Sequence, residues 1–149
     1  MGMAWVLLTL QRMKKQPQHP RLRGFTLVET MIVVALIATI AAIAVPNFLR
    51  ARKRAQATRI LDDLRLIDGA LDLYAMEASK AAGDPAVWTD LQPYLKKNML
   101  LYNSNGLDLL GNAYNSGSYF VDTPPKVNPA SFFALAEVAP ADFWSPFAP

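Results

Sequence analysis

The feature that most constrains this chain is an apolar run of 21 residues, from Phe25 to Val45, in which Glu29 is the only ionisable side chain. As an α-helix the run would be about 31 Å long, which matches the hydrocarbon thickness of a bilayer. A charged carboxylate in hydrocarbon costs roughly 2.5–3.5 kcal/mol. The run therefore predicts a membrane-spanning helix whose glutamate has a compensating role.

A second helical pattern follows the apolar run. Pro46 should remove one backbone hydrogen bond and bend or locally melt the helix. Beyond it, apolar residues recur every three or four positions until the stop signal "AAGDP" at residues 81–85. This stripe consists of Ile60, Leu64, Ile67, Leu71, Tyr74 and Ala78. The pattern predicts one helix of about 57 residues, apolar all round in its first half and amphipathic in its second.

Residues 82–149 predict a small domain of short elements. The stretch 87–97 is typical of a short helix or turn, capped by Thr89 or Asp90. Residues 114–121 have the punctuation of a hairpin with its turn at 115–118, and residues 131–138 fit either a strand or a short helix begun by Pro129. The predicted fold class is α+β: a long N-terminal α-helix, with a membrane half and an amphipathic half, packed against a small C-terminal domain with a short antiparallel sheet.

The aromatic residues near the C-terminus, Phe143, Trp144 and Phe147, are expected to pack inside this domain rather than to bind a ligand. So short a domain needs large apolar side chains to build a core.

The net charge of +3 says little about the distal domain. Five of the 15 basic residues lie in the first 24 residues, which contain no acidic residue, so ten basic side chains face 12 acidic ones in the rest. No nucleic-acid partner is therefore expected. The basic run "RARKR" at 50–54 could serve DNA binding, but it is expected to reach lipid phosphates or to pair with the aspartates between 62 and 72 of a neighbouring copy.

Catalytic side chains are scarce. The chain has no cysteine, its one histidine is His19, ahead of the apolar run, and no glycine-rich phosphate loop is present. Asp108 and Asp122 could be imagined as an acid/base pair or as weak calcium ligands, although ordinary loop carboxylates are the simpler interpretation. We expect no enzymatic activity.

The residues "RGFTLVE" at 23–29, preceded by a basic leader and followed by the apolar run, resemble the N-terminal signature of type IV pilins and of the pseudopilins of type II secretion. The resemblance covers Arg21 to Asn47. It implies that a prepilin peptidase cleaves after Gly24 and that Phe25 becomes the N-methylated N-terminus. It also implies that Glu29 pairs with the Phe25 amine of a neighbouring subunit and sets the register of assembly, and that Pro46 kinks the helix.

The resemblance also implies an organisation and a set of partners. The segments are a leader at 1–24 (or starting at Met13), a transmembrane and assembly helix at 25–45, an amphipathic stem at 46–81 and a small globular domain at 82–149. The implied partners are further copies and minor pseudopilins, the prepilin peptidase, an inner-membrane assembly platform driven by a cytoplasmic ATPase, and membrane lipid. The N-terminus would be cytoplasmic and the C-terminal domain periplasmic, before the subunit enters a periplasmic or extracellular filament.

Weaker matches point to a subclass. Asp108, Gly111, Asn112 and Tyr114 resemble a Gly-Asn-Pro-Tyr-like turn of major type II pseudopilins, with Ala113 in place of the proline. Together with the absence of cysteine, this favours a major pseudopilin. Such proteins often bind calcium near this turn, so calcium is a weak expectation. The alternative is the major pilin of an adhesive or DNA-uptake pilus.

Two simpler interpretations of the N-terminal half stay open. Thr26 and Glu29 also fit a capping box, in which each side chain bonds the other's backbone N–H, and this role is compatible with pairing at another stage. "AIA" at 42–44 also satisfies the small-residue rule for signal-peptide cleavage, which would release a secreted domain starting near Val45. The apolar run is longer than an ordinary signal peptide requires, and Glu29 would then have no purpose.

Overall fold

A computed structural model describes residues 24–149; the leader residues before Gly24, including Met13 and His19, lie outside the described residues. The chain divides into two compact units between Ile40 and Ala41. Helix α1 spans Leu27–Glu77 and is unbroken at Pro46, so the local melting that the sequence suggested there is absent and only a bend stays a prediction. The helix ends before the predicted stop at 81–85, with Ser79 in the left-handed region at a φ of 50°.

The described part of the first unit, Gly24–Ile40, consists of three non-helical residues followed by the start of α1. All of its side chains are exposed. Among residues 24–149, α1 is the one helix that is long and apolar enough to cross a membrane, judged by length and composition alone.

The second unit is built on the amphipathic half of α1. Ile60, Leu64 and Ile67 are fully buried and Leu71 is 2% exposed, as the predicted stripe requires. Tyr74 is half-buried. Ala78 is exposed and lies just beyond Glu77, the last residue of the helix. The stripe shares one hydrophobic core with side chains from the C-terminal domain, among them Leu91, Leu101, Tyr114, Tyr119, Val127, Leu135 and Trp144.

The sheet is antiparallel and has two short strands, β1 (Pro85–Ala86) and β2 (Tyr119–Phe120). Pro85 faces Phe120 and Ala86 faces Tyr119. The predicted hairpin within 114–121 is therefore wrong, although β2 and the turn before it exist. Tyr114 and the first three residues of the predicted turn form one 3₁₀ element, Tyr114–Gly117, so no strand precedes the turn, and β2 pairs with the segment that follows α1.

The other elements are short helices. They are α2 (Trp88–Leu91), a 3₁₀ turn at Gln92–Tyr94, α3 (Leu100–Asn103), α4 (Pro129–Leu135) and a 3₁₀ turn at Ala141–Trp144. The prediction that Thr89 or Asp90 begins α2 as its N-cap is wrong in position. Val87 is the N-cap, and its N–H donates to the Asp90 carboxylate at 3.1 Å. For residues 131–138 the helical alternative is confirmed, with Asn128 accepting from the Ala130 N–H and Pro129 in the first turn.

The C-terminal aromatic residues pack inside this unit, as expected. Trp144 is fully buried, its indole N–H donates to the Ala139 carbonyl at 3.1 Å, and Phe147 is 4% exposed. Phe143 is half-buried, and its ring packs edge-on against the Trp144 ring with 5.2 Å between the ring centroids.

Candidate functional site

The peptide bond between Gly24 and Phe25 lies in exposed backbone just ahead of α1. Gly24, Phe25 and Thr26 are non-helical, and the Phe25 side chain is 78% exposed. A protease must pull its substrate backbone into an extended form, which is easiest where no helical hydrogen bond has to break. The fold thus leaves the predicted cleavage site in an accessible conformation.

Glu29 forms a reciprocal capping box with Thr26. The Thr26 N–H and hydroxyl donate to Glu29 Oε2 at 3.2 and 3.3 Å, and the Glu29 N–H donates back to the Thr26 hydroxyl oxygen at 3.2 Å. These bonds satisfy N–H groups that have no partner inside the helix. Within residues 24–149, Glu29 Oε1 accepts no hydrogen bond. The capping interpretation is therefore confirmed, while one carboxylate oxygen is still available for a cation.

The basic segment after Pro46 contacts the C-terminal domain through Glu137, a residue that no sequence pattern singled out. The Glu137 carboxylate accepts from Arg50 Nε at 3.2 Å and from Lys53 Nζ at 3.1 Å. Lys53 first, and then Arg50, lowers the pKa of Glu137. All three side chains are about half exposed or more, so these ion pairs contribute little stability.

Two of the four aspartates between residues 62 and 72 are engaged within their own chain. Asp62 pairs with Arg65 at 3.1 Å. Asp63 was expected off the apolar stripe but is buried; its Oδ1 lies 3.2 Å from Arg59 Nε, in charge contact without hydrogen-bond alignment, and its Oδ2 accepts from the Tyr114 hydroxyl at 3.1 Å. These contacts leave fewer aspartates for a neighbouring copy than the sequence suggested.

Burial has the largest effect on the pKa values of Asp63 and Tyr114. It raises the pKa of Asp63, against the opposing effects of the Arg59 charge and the Tyr114 hydrogen bond. Burial and the neighbouring Asp63 charge also raise the pKa of Tyr114, so its hydroxyl stays protonated. The network ties α1 to a residue 51 positions away. The only sign of this network in the sequence is Tyr114 itself, a large side chain that carries a polar hydroxyl group.

Asp108 and Asp122, the weak calcium candidates, lie in different settings. Asp108 is buried; its Oδ1 accepts from the N–H groups of Leu110 and Asn112 at 2.8 and 2.9 Å, and its Oδ2 accepts from the Ser131 hydroxyl. Asp122 is exposed at a positive φ of 61°. Among residues 24–149 no three His, Cys, Asp or Glu side chains cluster as metal ligands would. Both carboxylate oxygens of Asp108 therefore accept hydrogen bonds that close the loop, and this arrangement does not fit a calcium ligand. The expectation of calcium binding is not tested by this structure.

The comparisons with known proteins agree with the geometry of the N-terminal segment. A family described as the prokaryotic N-terminal methylation motif matches residues 20–45. This segment matches an N-terminal methylation motif. The match includes the exposed Gly24–Phe25 bond, the capped Glu29 and the apolar run.

Similar proteins include secretion-system and pilus components. Type II secretion system core protein G of Klebsiella pneumoniae is 37% identical over 60 residues, which cover 40% of this chain and 43% of that relative. The Vibrio cholerae protein of the same name is 33% identical over 70 residues, or 47% of this chain and 44% of its own length. Type IV major pilin protein PilA of Myxococcus xanthus is 47% identical over 49 residues, or 33% of this chain and 22% of that protein.

The chain thus spans less than half the length of the curated relatives it matches. No solved structure matches it significantly. Sequence similarity to secretion-system and pilus proteins therefore covers less than half of this chain, while the C-terminal domain is described by its own structure.

Proposed function

We propose that this chain is a structural, non-catalytic subunit of a type IV pilus-like filament, specifically a pseudopilin of a type II secretion system. It would wait in the inner membrane with its C-terminal domain in the periplasm. After cleavage behind Gly24 and methylation of Phe25 it would assemble with further copies, with Glu29 fixing the register. The match of the N-terminal methylation motif to residues 20–45 is the observation that carries this proposal.

The geometry supports both roles of Glu29. In the separate chain its carboxylate bonds Thr26 and satisfies the first turn of α1. Cleavage would create an α-amine at Phe25, which is cationic near neutral pH. An amine from a neighbouring copy could bind the same carboxylate and offset the cost of burying either charge between apolar helices. The capping bonds would then hold the carboxylate in one position while it waits.

The first test is the intact mass and the N-terminal peptide of the protein purified from membranes. We expect a chain that starts at N-methylated Phe25. A start near Val45 would instead indicate a secreted domain released by signal-peptide cleavage, and an uncleaved chain would indicate a plain membrane anchor. Either result would overturn the proposal.

A pair of variants separates capping from pairing at Glu29. Glu29→Gln keeps a side chain that can accept from the Thr26 N–H but removes the charge, whereas Thr26→Ala removes the cap and keeps the charge. We expect Glu29→Gln to abolish filament formation, and Thr26→Ala to reduce it only mildly. Membrane levels of both variants, measured by fractionation, should equal those of the wild type. Normal assembly of Glu29→Gln would show that capping is the whole role.

The second candidate is a major pilin, which the 47% identity to the Myxococcus xanthus protein supports. That identity covers 22% of the relative, whereas 43% and 44% of the Klebsiella pneumoniae and Vibrio cholerae core G proteins are covered. Surface pili, detected by shearing cells and probing the supernatant for this chain, would favour the pilin. Loss of a secreted enzyme on deletion of the chain would favour the pseudopilin.

A further inference from the structure

A groove of about 520 Å³ opens on the second unit, immediately after the apolar run. Its lining combines three cations, one carboxylate, one amide and two apolar side chains: Arg50, Arg52, Lys53, Glu137, Gln56, Pro46 and Leu49. The cationic and apolar parts of this groove suit a ligand that carries an anionic group beside an apolar one.

The groove keeps an excess of positive charge. Glu137 binds Arg50 and Lys53 together, and a single carboxylate neutralises only one of them. Arg52 forms no ion pair within residues 24–149 and is exposed. A second anion could therefore bind there without displacing every existing contact.

The position of the groove along the chain indicates where its ligand would come from. Pro46 directly follows the last residue of the apolar run, and Lys53 lies eight residues beyond Val45, about 12 Å along a helix. Long cationic side chains at this distance from a span reach the phosphates of the headgroup layer. This step rests on the membrane anchoring proposed above.

A neighbouring copy is a less suitable source of the anion. Asp63 is buried beside Arg59 and Asp62 is paired with Arg65, so among the four stem aspartates only Asp68 and Asp72 are without an ion pair within residues 24–149. A carboxylate would also leave the apolar wall formed by Pro46 and Leu49 unused, whereas the glycerol and ester groups of a lipid would cover it.

We propose that this groove binds the headgroup of an anionic phospholipid, with Arg52 and Lys53 holding the phosphate and Glu137 acting as an internal competitor for Lys53. The ligand class is a phosphodiester in the outer leaflet of the membrane that the apolar run crosses. The competing carboxylate limits the affinity, so the subunit would prefer anionic lipid without being locked to it.

The test uses the full chain reconstituted in phosphatidylcholine bilayers, with spin-labelled phosphatidylglycerol or phosphatidylcholine as the probe. We expect the wild type to prefer phosphatidylglycerol. The double variant Arg52→Gln, Lys53→Gln should lose most of this preference, by up to about fivefold for each charge. Glu137→Gln should increase it, because the competing carboxylate is gone. The matched control Lys96→Gln, Lys97→Gln removes two exposed cations elsewhere and should leave the preference unchanged.

Each contrary result has a distinct meaning. Extraction of the wild type by alkaline carbonate would show that it does not span the bilayer, which defeats the membrane anchoring and this inference together. An inserted wild type without lipid preference would overturn the inference alone. So would a Glu137→Gln variant with unchanged or weaker preference, which would make Glu137 a purely structural clamp.

Two further arms exclude other ligands. Millimolar inorganic phosphate should not remove the preference; if it does, the groove is a site for free phosphate. Cysteine cross-linking between copies should be equal in the wild type and the double variant. If cross-linking falls while lipid preference is unchanged, the groove binds a second copy and the inference is wrong.

Discussion

The two halves of α1 share one backbone but have opposite surroundings. From Leu27 to Arg52 every side chain is exposed, and the first buried residue is Ala57. From there to Leu71 one face of the helix is covered by the C-terminal domain. A buried leucine or isoleucine contributes about 1.5–3 kcal/mol relative to an exposed one. The stem therefore obtains its stability from its own chain, while the side chains of the apolar half are buried by nothing within residues 24–149.

The acidic residues of the two halves differ in the same way. Glu29 is exposed and serves the backbone of its own first turn. Asp63 is buried and serves a distant part of the chain through Tyr114. The charge in the apolar half is therefore held only by one helical turn, whereas the charge in the stem is fixed by contacts across the fold.

The largest expected effect contrasts one apolar residue from each half. Leu64→Ala should reduce the free energy of unfolding of the second unit by about 2–5 kcal/mol, because Leu64 is fully buried and leaves a cavity. Ile37→Ala, in which the native side chain is 61% exposed, should leave it unchanged. Urea titration of the detergent-solubilised chain, followed by tryptophan fluorescence, measures both. Equal losses would erase the distinction between the halves.

The next effect concerns the buried network of the stem. Tyr114→Phe removes the hydroxyl that donates to Asp63 and leaves a buried carboxylate with one partner fewer. We expect a loss of about 1–3 kcal/mol in the same titration. Tyr102→Phe is the control, since the Tyr102 hydroxyl makes no hydrogen bond within residues 24–149 and the ring is half-buried. If the Tyr114 variant is as stable as the control, the bond to Asp63 contributes nothing.

Local patterns predicted the parts of the fold that depend on neighbouring residues. The spacing of Ile60, Leu64 and Ile67 identified the buried face of α1. Pro129 suggested a helix start but left strand and helix open for residues 131–138, and the Asn128 cap emerged only from the structure. The capping box of Thr26 and Glu29 was also predictable from the sequence, because all of its atoms lie within one turn of the helix.

Contacts between distant residues could not be predicted in this way. Strand β2 pairs with residues more than thirty positions earlier, and strands of two residues are too short to show an alternating pattern. Asp63 is polar and lies beside the stripe, so its burial follows only from the position of Tyr114. Glu137 became a candidate only when the fold placed it against Arg50 and Lys53.

A smaller effect should appear in the pH dependence of the stem. Burial first, and then the charge of Asp72, raises the pKa of Asp68 above its ordinary value of 3.8. The folded chain therefore binds this proton more tightly than the unfolded chain, so the stabilising contribution is present below about pH 4 and is lost as the pH rises through the raised pKa. Asp63 contributes in the same direction.

Asp68→Asn tests this dependence directly. We expect the free energy of unfolding of the variant to fall less than that of the wild type between about pH 4 and pH 7, because the asparagine cannot lose a proton. Asp72→Asn should flatten the dependence to a smaller extent, since it removes only the secondary cause. If the free energy of unfolding changes equally with pH in the wild type and in Asp68→Asn, the half-buried position does not disfavour the charged form of Asp68.

The smallest effect is expected on the exposed side of the stem. Arg65→Gln breaks the pair with Asp62, in which both side chains are more than half exposed, and should cost no more than about 0.3–0.5 kcal/mol in urea titrations. Raising the salt concentration should remove even this difference, because exposed charges are screened. The same substitution at Arg59 should cost distinctly more at any salt concentration, because its partner Asp63 is buried. If the two variants lose equal stability, solvent reaches Asp63, and the contrast between exposed and buried charges in this helix disappears.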